Sequence, residues 1–352
     1  MRVAFVSMET TDHRDTEGNR RLERVARHLA EAGHDVSMYC ARWWDSDQRT
    51  FEPERITYRA VTTTPSPVAF ATRLPVRLAR DPPDVIHASP CPSGGVIAAG
   101  IGGTLTRAPV LVDWFGDEDL DGARPANRAA RSPDCVVTPS ELVRTRVRER
   151  GASGDRTRII PESIDMDQVR ATEPADTVDV AFAHPLDDSA NVESLLLGLA
   201  ELREKDWSAK IIGDGPHRAD YERQVSDLRI DDRVEFVGAC DREERISIYR
   251  GAHVFVQTAY REYFATELLW ALACGCIGIV EYQAESSAHE LIEQRDRSFR
   301  VTSTQQMARA IVEAGEFDHE IIDESLAKYD HDAVRSHYLD HYRRLIDDHG
   351  VL

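Results

Sequence analysis

The sequence predicts an α/β protein built from two doubly wound parallel sheets, each covered by helices. Short apolar runs rich in Val and Ile alternate with helical patterns from one end of the chain to the other, which is typical of parallel strands connected by helices. A chain of 352 residues is longer than one typical domain and favours two. The polar segment 167–177 lacks periodicity and contains Pro174, so it is the expected linker.

The first predicted domain covers residues 1–168. Its first helix is expected over 20–32, where Leu22 and Leu29 fall on one face and Gly33 follows as a stop signal. Runs with the character of buried strands follow one another through the rest of this domain. They cover residues 3–7, 35–40, 56–61, 84–88, 110–114, 135–138 and 158–161.

The second predicted domain covers residues 175–315, and residues 316–352 are expected to form C-terminal helices, with a strong helical pattern over 321–348. Ligands of doubly wound sheets bind beyond the carboxyl ends of the strands. A cleft between two lobes, lined by two such edges, is therefore the expected site. The strand-like runs of the second domain cover residues 178–183, 209–213, 234–237, 253–257, 276–280 and 299–302.

The composition is strongly acidic. The chain has 62 acidic and 43 basic residues and a formal net charge of -19, which argues against a nucleic-acid-binding surface and against a broadly cationic membrane surface. Only Lys205, Lys210 and Lys328 are lysines. A GC-rich genome explains a preference for Arg but not the acidic excess, so the composition favours a halophilic, haloarchaeal protein whose surface charges are screened by concentrated salt.

Targeting and metal-binding signals are lacking in the sequence. The six cysteines form neither a CxxC pair nor a set with zinc-ligand spacing. The first residues enter a strand directly, and no stretch approaches the roughly 18 apolar residues of a membrane-spanning helix. The sequence therefore predicts a cytoplasmic protein that is at most peripheral at the inner face of the membrane.

The most informative stretch is 259–275, which reads AYREYFATELLWALACG. It places Glu262 two positions before Phe264 and ahead of a helix that ends at Gly275. This pattern resembles the donor-sugar signature of GT-B glycosyltransferases of the family 4 type. Three further passages of the second domain extend the resemblance in the same order and spacing: IIGDGP at 211–216, RVEFVG at 233–238 and IYRGAHVFV at 248–256.

The resemblance implies both a fold and an activity. The fold would be GT-B, with two lobes facing a cleft and a final helix that crosses back to the first lobe. The activity would be retaining transfer of a sugar from a nucleotide-sugar donor, which is a co-substrate, with no bound cofactor and no metal ion. The resemblance leaves the acceptor open between a saccharide and a lipid-linked molecule.

The resemblance also nominates site residues. Glu262 would be the carboxylate near the transferred sugar, and Asp113, at the end of a predicted strand, would orient the acceptor hydroxyl or the donor sugar. A solvated loop Glu and a solvated strand-end Asp are the ordinary alternatives. The donor-binding candidates are Gly18, His184, Phe264, Ala265, Thr266, Glu267 and Trp270.

Gly18 and the start of the predicted helix are donor-binding candidates because of their backbone geometry. Gly18 lies in the expected loop 12–19, where a glycine lets the backbone approach a ligand. The backbone N–H groups that open the helix at Ala265, Thr266 and Glu267 are suited to a phosphate. A Thr N-cap and an acidic first turn are equally what helix stability selects.

Three positions depart from the family pattern. Pro185 and Ala190 occupy the places of the Arg and Lys that bind the diphosphate, and Trp270 occupies the place of a second Glu. His184 and Arg261 are nearby substitutes for the positive charge. Trp270 is able to stack on a base or to pack in the core, and the candidate replacements for the second carboxylate are Glu267 and Glu281.

These departures keep a second interpretation open, a degenerate glycosyltransferase-like binding or partner protein without full activity. A third class, the nicotinamide-dependent dehydrogenases, needs a Gly-rich fingerprint directly after a strand. The glycine-rich run at 100–103 follows helical residues instead, so we exclude that class.

One segment differs from the acidic remainder. Over 68–80 apolar residues alternate with Arg73, Arg77 and Arg80, a cationic amphipathic pattern that suits an anionic membrane or a lipid-phosphate acceptor. Pro75 interrupts the segment, and a surface helix over the core of the first domain is the alternative interpretation. The interruption favours the surface helix.

Overall fold

The computed structural model describes residues 1–53, 55–120 and 122–350. It confirms the predicted class, because helices alternate with parallel strands that form two separate sheets. The strands are β1 (Arg2–Val6), β2 (Asp35–Ala41), β3 (Thr50–Phe51), β4 (Ile56–Thr62), β5 (Val85–Ala88), β6 (Val110–Asp113), β7 (Cys135–Thr138), β8 (Thr157–Ile159), β9 (Val178–Ala183), β10 (Ala209–Ile212), β11 (Val234–Gly238), β12 (Ala252–Gln257), β13 (Arg261–Glu262), β14 (Ile277–Glu281), β15 (Glu285–Ser286) and β16 (Ser298–Val301). The helices are α1 (Glu17–Glu31), α2 (Pro67–Arg80), α3 (Ser93–Thr106), α4 (Ala123–Arg131), α5 (Glu141–Glu149), α6 (Met166–Ala171), α7 (Val192–Ala200), α8 (Arg218–Asp227), α9 (Arg242–Gly251), α10 (Thr266–Ala273), α11 (Thr304–Ala314) and α12 (His331–Gly350).

The first compact unit consists of residues 1–162 and 331–352. Its sheet has the order β3-β4-β2-β1-β5-β6-β7-β8, and every neighbouring pair is parallel except β3 with β4. The strand order therefore reverses beside β1, which is where such sheets bind ligands. Phe5 and Leu111 share a core with α1 and α12. The other face of the sheet carries α3, which packs against both α2 and α4.

The second compact unit consists of residues 163–330. Its main sheet is fully parallel, with the order β11-β10-β9-β12-β14-β16. The strand order reverses beside β9, so the carboxyl ends of β9 and β12 form the expected ligand-binding edge. A separate parallel pair, β13 with β15, lies outside this sheet.

Short elements are where the structure departs from the sequence prediction. The segment 167–177 was expected to be irregular, but α6 covers part of it, capped by the Asp165 carboxylate, which accepts the N–H of Gln168 at 2.8 Å. Three strands of two residues each, β3, β13 and β15, were not predicted. Such elements are too short to show periodicity. No helix within the described ranges is long and apolar enough to cross a membrane.

A buried ion-pair cluster joins α12 to the sheet of the first unit. Arg21, on α1, is only 2% exposed. Its Nε donates to Asp113 at 2.9 Å, and its Nη1 donates to Glu162 at 2.7 Å. Its Nη2 donates to the hydroxyl of Tyr338 on α12 at 2.5 Å, and that hydroxyl donates to Asp113 at 2.5 Å. Each buried charge thus has an opposite charge or a hydrogen bond beside it.

The glycine-rich part of α3 is explained by packing and yields a first prediction. A Cβ at Gly103 would lie 2.6 Å from the carbonyl oxygen of Ala108 and 3.0 Å from Val110, whereas a Cβ at Gly100 would meet nothing within 4 Å. We expect Gly103→Ala to destabilise the fold by about 1–3 kcal/mol. The matched Gly100→Ala should stabilise it by about 0.5–1 kcal/mol. Urea denaturation of both variants measures this, and equal shifts would refute the packing argument.

The ion-pair cluster yields a second prediction. Arg21→Gln leaves Asp113 buried without its counter-charge and leaves Glu162 paired with Arg24 alone, so we expect it to lower the free energy of unfolding by about 3–5 kcal/mol. The neighbouring Arg20 is the control, because its pairs with Asp15 and Glu17 are about half exposed. Arg20→Gln should cost about 0–1 kcal/mol. Chemical denaturation of the two variants provides the comparison, and similar losses would show that the cluster contributes little.

Candidate functional site

The backbone of Glu262 is fixed at the carboxyl edge of the second sheet. It follows β12 after a short loop and lies in β13, which pairs with β15. The carbonyl oxygen of Glu262 accepts the N–H of Ser287 at 2.8 Å, and the Ser287 hydroxyl donates to the carbonyl of Tyr263 at 2.9 Å. The loop is therefore held on both sides of the predicted sugar-binding carboxylate.

The Glu262 side chain is held by two partners from neighbouring strand ends. Gln257, the last residue of β12, donates its amide to Oε1 at 3.0 Å. His184, the first residue after β9, places Nε2 3.4 Å from the same oxygen. Among the described residues, no hydrogen bond reaches Oε2, and the side chain is 20% exposed. One carboxylate oxygen thus remains available to a ligand.

The surroundings of His184 favour its protonated form. Its Nδ1 lies 2.7 Å from the carbonyl oxygen of Pro185, so both ring nitrogens face oxygen acceptors, and only the imidazolium ion carries a hydrogen on each. Burial alone would lower the pKa of His184, but the hydrogen bond and charge of Glu262 outweigh that effect and raise the pKa above 6.5. A cation is therefore stabilised beside the predicted catalytic carboxylate.

Glycines explain how the chain after β9 comes close to the end of β10. At Gly213, which has φ +133°, a Cβ would lie 2.0 Å from the carbonyl oxygen of His184. At Gly215 it would lie 2.5 Å from the carbonyl oxygen of Leu186. The IIGDGP motif noticed in the sequence thus allows the backbone that carries His184 to take its position.

A second carboxylate, Glu281, ends β14 beside β12. Its Oε2 accepts the side-chain amide of Asn191 at 3.1 Å, and the same amide donates to the carbonyl of Thr258 at 3.1 Å. The Thr258 hydroxyl donates in turn to the carbonyl of Ala190 at 3.0 Å. Ala190, at the place of the family's Lys, is fully buried. The edge of the sheet therefore carries two acidic side chains, Glu262 and Glu281, and Ala190 supplies no positive charge beside them.

The start of α10 differs from the expected Thr N-cap. The cap residue is Ala265, which supplies no side-chain hydrogen bond, and the helix begins at Thr266. The N–H of Thr266 donates to the carbonyl of Phe264 at 2.9 Å, so it is already occupied. The side chains of Phe264 and Ala265 are buried. These residues shape the turn after Glu262 from within the core.

The next turn of α10 packs against α9. The Glu267 carboxylate accepts hydrogen bonds from Arg242 at 3.0 Å, from Arg245 at 2.7 Å and from the Tyr249 hydroxyl at 2.6 Å. Trp270 is 5% exposed, and the Arg242 guanidinium lies 4.8 Å from its ring centroid. These contacts favour core packing for Trp270. Of the two candidate replacements for the second Glu, Glu281 has fewer protein partners.

In the first unit Gly18 lies in the first turn of α1 and not in the expected loop. Its N–H donates to the Asp117 carboxylate at 3.1 Å, and a Cβ there would lie 2.8 Å from the other Asp117 oxygen. Gly18 and Asp117 line a cavity of about 30 Å³ together with Ser7 and Asp113. The glycine thus permits the close approach of a carboxylate from the protein itself.

Asp113 is buried at the end of β6, so the alternative of a solvated strand-end Asp is wrong. Burial opposes its ionisation, but the charge of Arg21 and hydrogen bonds from His87 and Tyr338 outweigh that effect and lower its pKa to about 2. The Nε2 of His87 lies 3.5 Å from the carboxylate, and its Nδ1 lies 2.5 Å from the Tyr342 hydroxyl. Burial lowers the pKa of His87, so a neutral ring is favoured.

Sequence reasoning missed the acidic pair that follows β6. Glu118 accepts the N–H groups of Phe115 and Gly116 at 2.7 and 2.8 Å. Burial and the charge of Asp117 raise the pKa of Glu118 to about 8. The only signal was the run FGDED at 115–119, directly after a predicted strand. No group of three His, Cys, Asp or Glu side chains suited to a metal ion occurs in the described part of the chain.

Two family models match the chain in tandem. The glycosyl transferase 4-like domain matches residues 16–162, and the glycosyl transferases group 1 domain matches residues 165–317. A curated relative, the alpha-monoglucosyldiacylglycerol synthase of Streptococcus pneumoniae, is 29% identical over 87 residues, which are 24% of this chain and 20% of that protein. The match therefore spans about a fifth of the relative's length.

Solved glycosyltransferase structures share the whole architecture. Sucrose-phosphate synthase from Thermosynechococcus elongatus superposes with a TM-score of 0.71 at 17% identity, covering 98% of this chain and 99% of that one. Anabaena HepE in complex with UDP superposes with a TM-score of 0.75 at 14% identity, covering 98% and 100%. At such identities the likeness shows the GT-B fold alone. The two tandem family matches establish that the chain belongs to the glycosyltransferase family, with a glycosyl transferase 4-like domain followed by a group 1 domain.

Proposed function

We propose that this enzyme transfers a sugar from a nucleotide-sugar donor to a saccharide or lipid-linked acceptor, with retention and without a bound metal ion. The observation that carries the proposal is the Glu262 carboxylate, which is fixed at the sheet edge with one oxygen free of protein hydrogen bonds. The UDP complex of HepE and the lipid-glycosylating relative from Streptococcus pneumoniae support the donor and acceptor classes.

Glu262 suits the chemistry of glycosyl transfer. The transition state carries positive charge on the sugar ring, which a nearby carboxylate stabilises, and the same carboxylate is able to accept hydrogen bonds from sugar hydroxyls. Gln257 and His184 hold one oxygen in place, so the other is oriented before the donor binds. Pre-orientation of this kind lowers the reorganisation needed during the reaction.

The leaving diphosphate needs positive charge, and the usual Arg and Lys are replaced by Pro185 and Ala190. We propose that protonated His184 supplies part of that charge beside Glu262. The N–H groups at the start of α10 that remain beyond Thr266 supply further hydrogen bonds. Glu281 takes the place of the second family Glu at the nucleotide end of the site.

The proposal also covers location and domain roles. Residues 1–168 bind the acceptor, residues 175–315 bind the donor, and the C-terminal helices from 316 onward complete the fold. The excess of 62 acidic over 43 basic residues supports work in concentrated salt in the cytoplasm of a halophilic, haloarchaeal cell. Binding assays therefore belong in concentrated salt.

The proposed function is tested by donor binding and turnover. Isothermal titration calorimetry with UDP-, GDP- and ADP-linked sugars identifies the donor, and product formation from that donor measures kcat. Glu262→Gln keeps the shape of the site but removes the charge, so we expect kcat at saturating donor to fall by about 10²–10³-fold. The exposed Glu243→Gln is the matched control and should leave kcat unchanged.

The outcomes separate the interpretations. Failure of every nucleotide sugar to bind would refute the proposed function. Binding without turnover by the natural protein would favour the degenerate interpretation. Full activity of Glu262→Gln would move the catalytic role to another residue.

The His184–Glu262 pair predicts a pH effect with a definite sign. Because Glu262 raises the pKa of His184 above 6.5 against the effect of burial, the imidazolium is stabilised below 6.5 and lost as pH rises through its raised pKa. Donor affinity should therefore fall on the alkaline side. In Glu262→Gln burial is opposed only by the carbonyl of Pro185 and the charge of Asp187, so the pKa of His184 should drop. NMR titration of the His184 ring measures both values.

Two variants complete the pH test. His184→Gln should flatten the alkaline fall in donor affinity. His217→Gln is the matched control, because His217 is a half-buried histidine whose pKa is also raised, by Asp220 and Asp188. A profile that is unchanged in His184→Gln would contradict the role given to this residue.

A further inference from the structure

The most exposed apolar side chains of the described chain lie on two neighbouring helices of the first unit. On α2 these are Val68, which is 76% exposed, and Val76, which is 52% exposed. On α3 they are Ile101, which is 52% exposed, and Leu105, which is 62% exposed. Every other large apolar residue described is less exposed than these four. A concentration of this kind marks an interaction surface.

The two helices lie side by side and point in the same direction. A Cβ at Gly95 would meet Phe70, and one at Gly102 would meet Leu78, so equivalent turns of α2 and α3 are in contact. Val76 is therefore at about the same position along the helix pair as Ile101, which lies on the exposed side of α3. The four apolar side chains thus lie on two adjacent helices, and together with Arg73, Arg77, Arg80 and Arg107 we name them the α2–α3 patch.

The α2–α3 patch is basic in an acidic protein. Neither helix contains Asp or Glu, although 62 acidic residues in 352 would place about five in these 28 positions. Arg73, Arg77, Arg80 and Arg107 have no carboxylate partner within the residues that the structure describes. Burial and the charges of Arg49, Arg80 and Arg73 lower the pKa of Arg77. The positive charge of the patch is thus uncompensated by the protein.

A basic concavity extends the patch beyond α3. Helix α4 packs against α3 and also lacks acidic residues. Its Arg124, Arg128 and Arg131 line an open concavity of about 340 Å³. That volume is of the order needed for a phosphate-bearing headgroup beside an apolar surface.

We propose that the α2–α3 patch docks the enzyme onto an anionic lipid bilayer. The four apolar side chains enter the boundary between headgroups and acyl chains, while the arginines contact lipid phosphates. A nucleic acid matches the arginines but would leave the four apolar side chains in water. A bilayer satisfies both features of the patch. The proposal does not depend on the identity of the donor sugar.

The test is co-sedimentation of the full chain with lipid vesicles in a salt series that runs from low ionic strength to concentrated salt. One set contains equal parts of phosphatidylglycerol and phosphatidylcholine, and the other contains phosphatidylcholine alone. We expect binding to the anionic vesicles and little to the neutral ones. The triple variant Arg73→Gln, Arg77→Gln, Arg80→Gln should weaken binding roughly 100-fold, as expected for three charges near the surface.

Two further variants isolate charge and apolar contact. Arg223→Gln, Arg309→Gln, Arg343→Gln makes the same change in net charge at exposed positions on α8, α11 and α12 and should bind as the natural protein does. Val76→Ser, Ile101→Ser, Leu105→Ser keeps the arginines and should lose the part of the binding that survives in high salt, where charges are screened. Circular dichroism and thermal melting check that each variant is folded.

Several results would overturn the proposal. These are no binding of the natural protein to anionic vesicles, equal binding to neutral ones, an equal loss in the two arginine variants, and tighter binding to an oligonucleotide than to vesicles. Restoration of binding by the triple Arg→Lys change at 73, 77 and 80 would support it, because a lipid surface requires positive charge and not one guanidinium geometry.

Discussion

The buried Arg21 guanidinium is the interaction on which the first unit depends most. Its planar fork directs separate donors at Asp113, at Glu162 and at Tyr338, which a lysine ammonium cannot match at fixed angles. These acceptors come from β6, from the chain after β8 and from α12, so one side chain fixes three parts of the fold. Both Asp113 oxygens are hydrogen-bonded. The carboxylate of Asp113 is thus already engaged by the protein on both oxygens.

Local sequence patterns predicted the two sheets but not this cluster. Buried strands such as Cys135–Thr138 can be recognised in the sequence, because burial on both faces makes the stretch continuously apolar. Arg21 carries none, because it follows the exposed Arg20 and its partners lie 92, 141 and 317 residues away. Length explains the other elements that the sequence did not predict. The two-residue strands β3, β13 and β15 and the six-residue α6 are too short to show a hydrophobic period.

In the candidate site, too, the sequence motif identified residues but not their contacts. The motif nominated Glu262, and the tandem family matches agree with the resemblance that it carried. The motif did not show that Gln257 would reach Glu262, because that contact depends on where β12 ends. Glu267 belongs to the same motif, yet its carboxylate is held by Arg242, Arg245 and Tyr249. Sequence spacing identifies candidate carboxylates, and only their partners distinguish one that is free for a ligand.

Charge is used in two contrasting ways in the first unit. Around Arg21 it is buried and fully paired, so water is excluded and the geometry is fixed. On α2 and α3 the arginines are unpaired, their mutual repulsion contributes to the lowered pKa of Arg77, and apolar side chains remain in water beside them. Both conditions cost free energy in the isolated protein. A surface that has opposite charge and an apolar layer beneath it removes both costs at once, and no packing within the described residues does so.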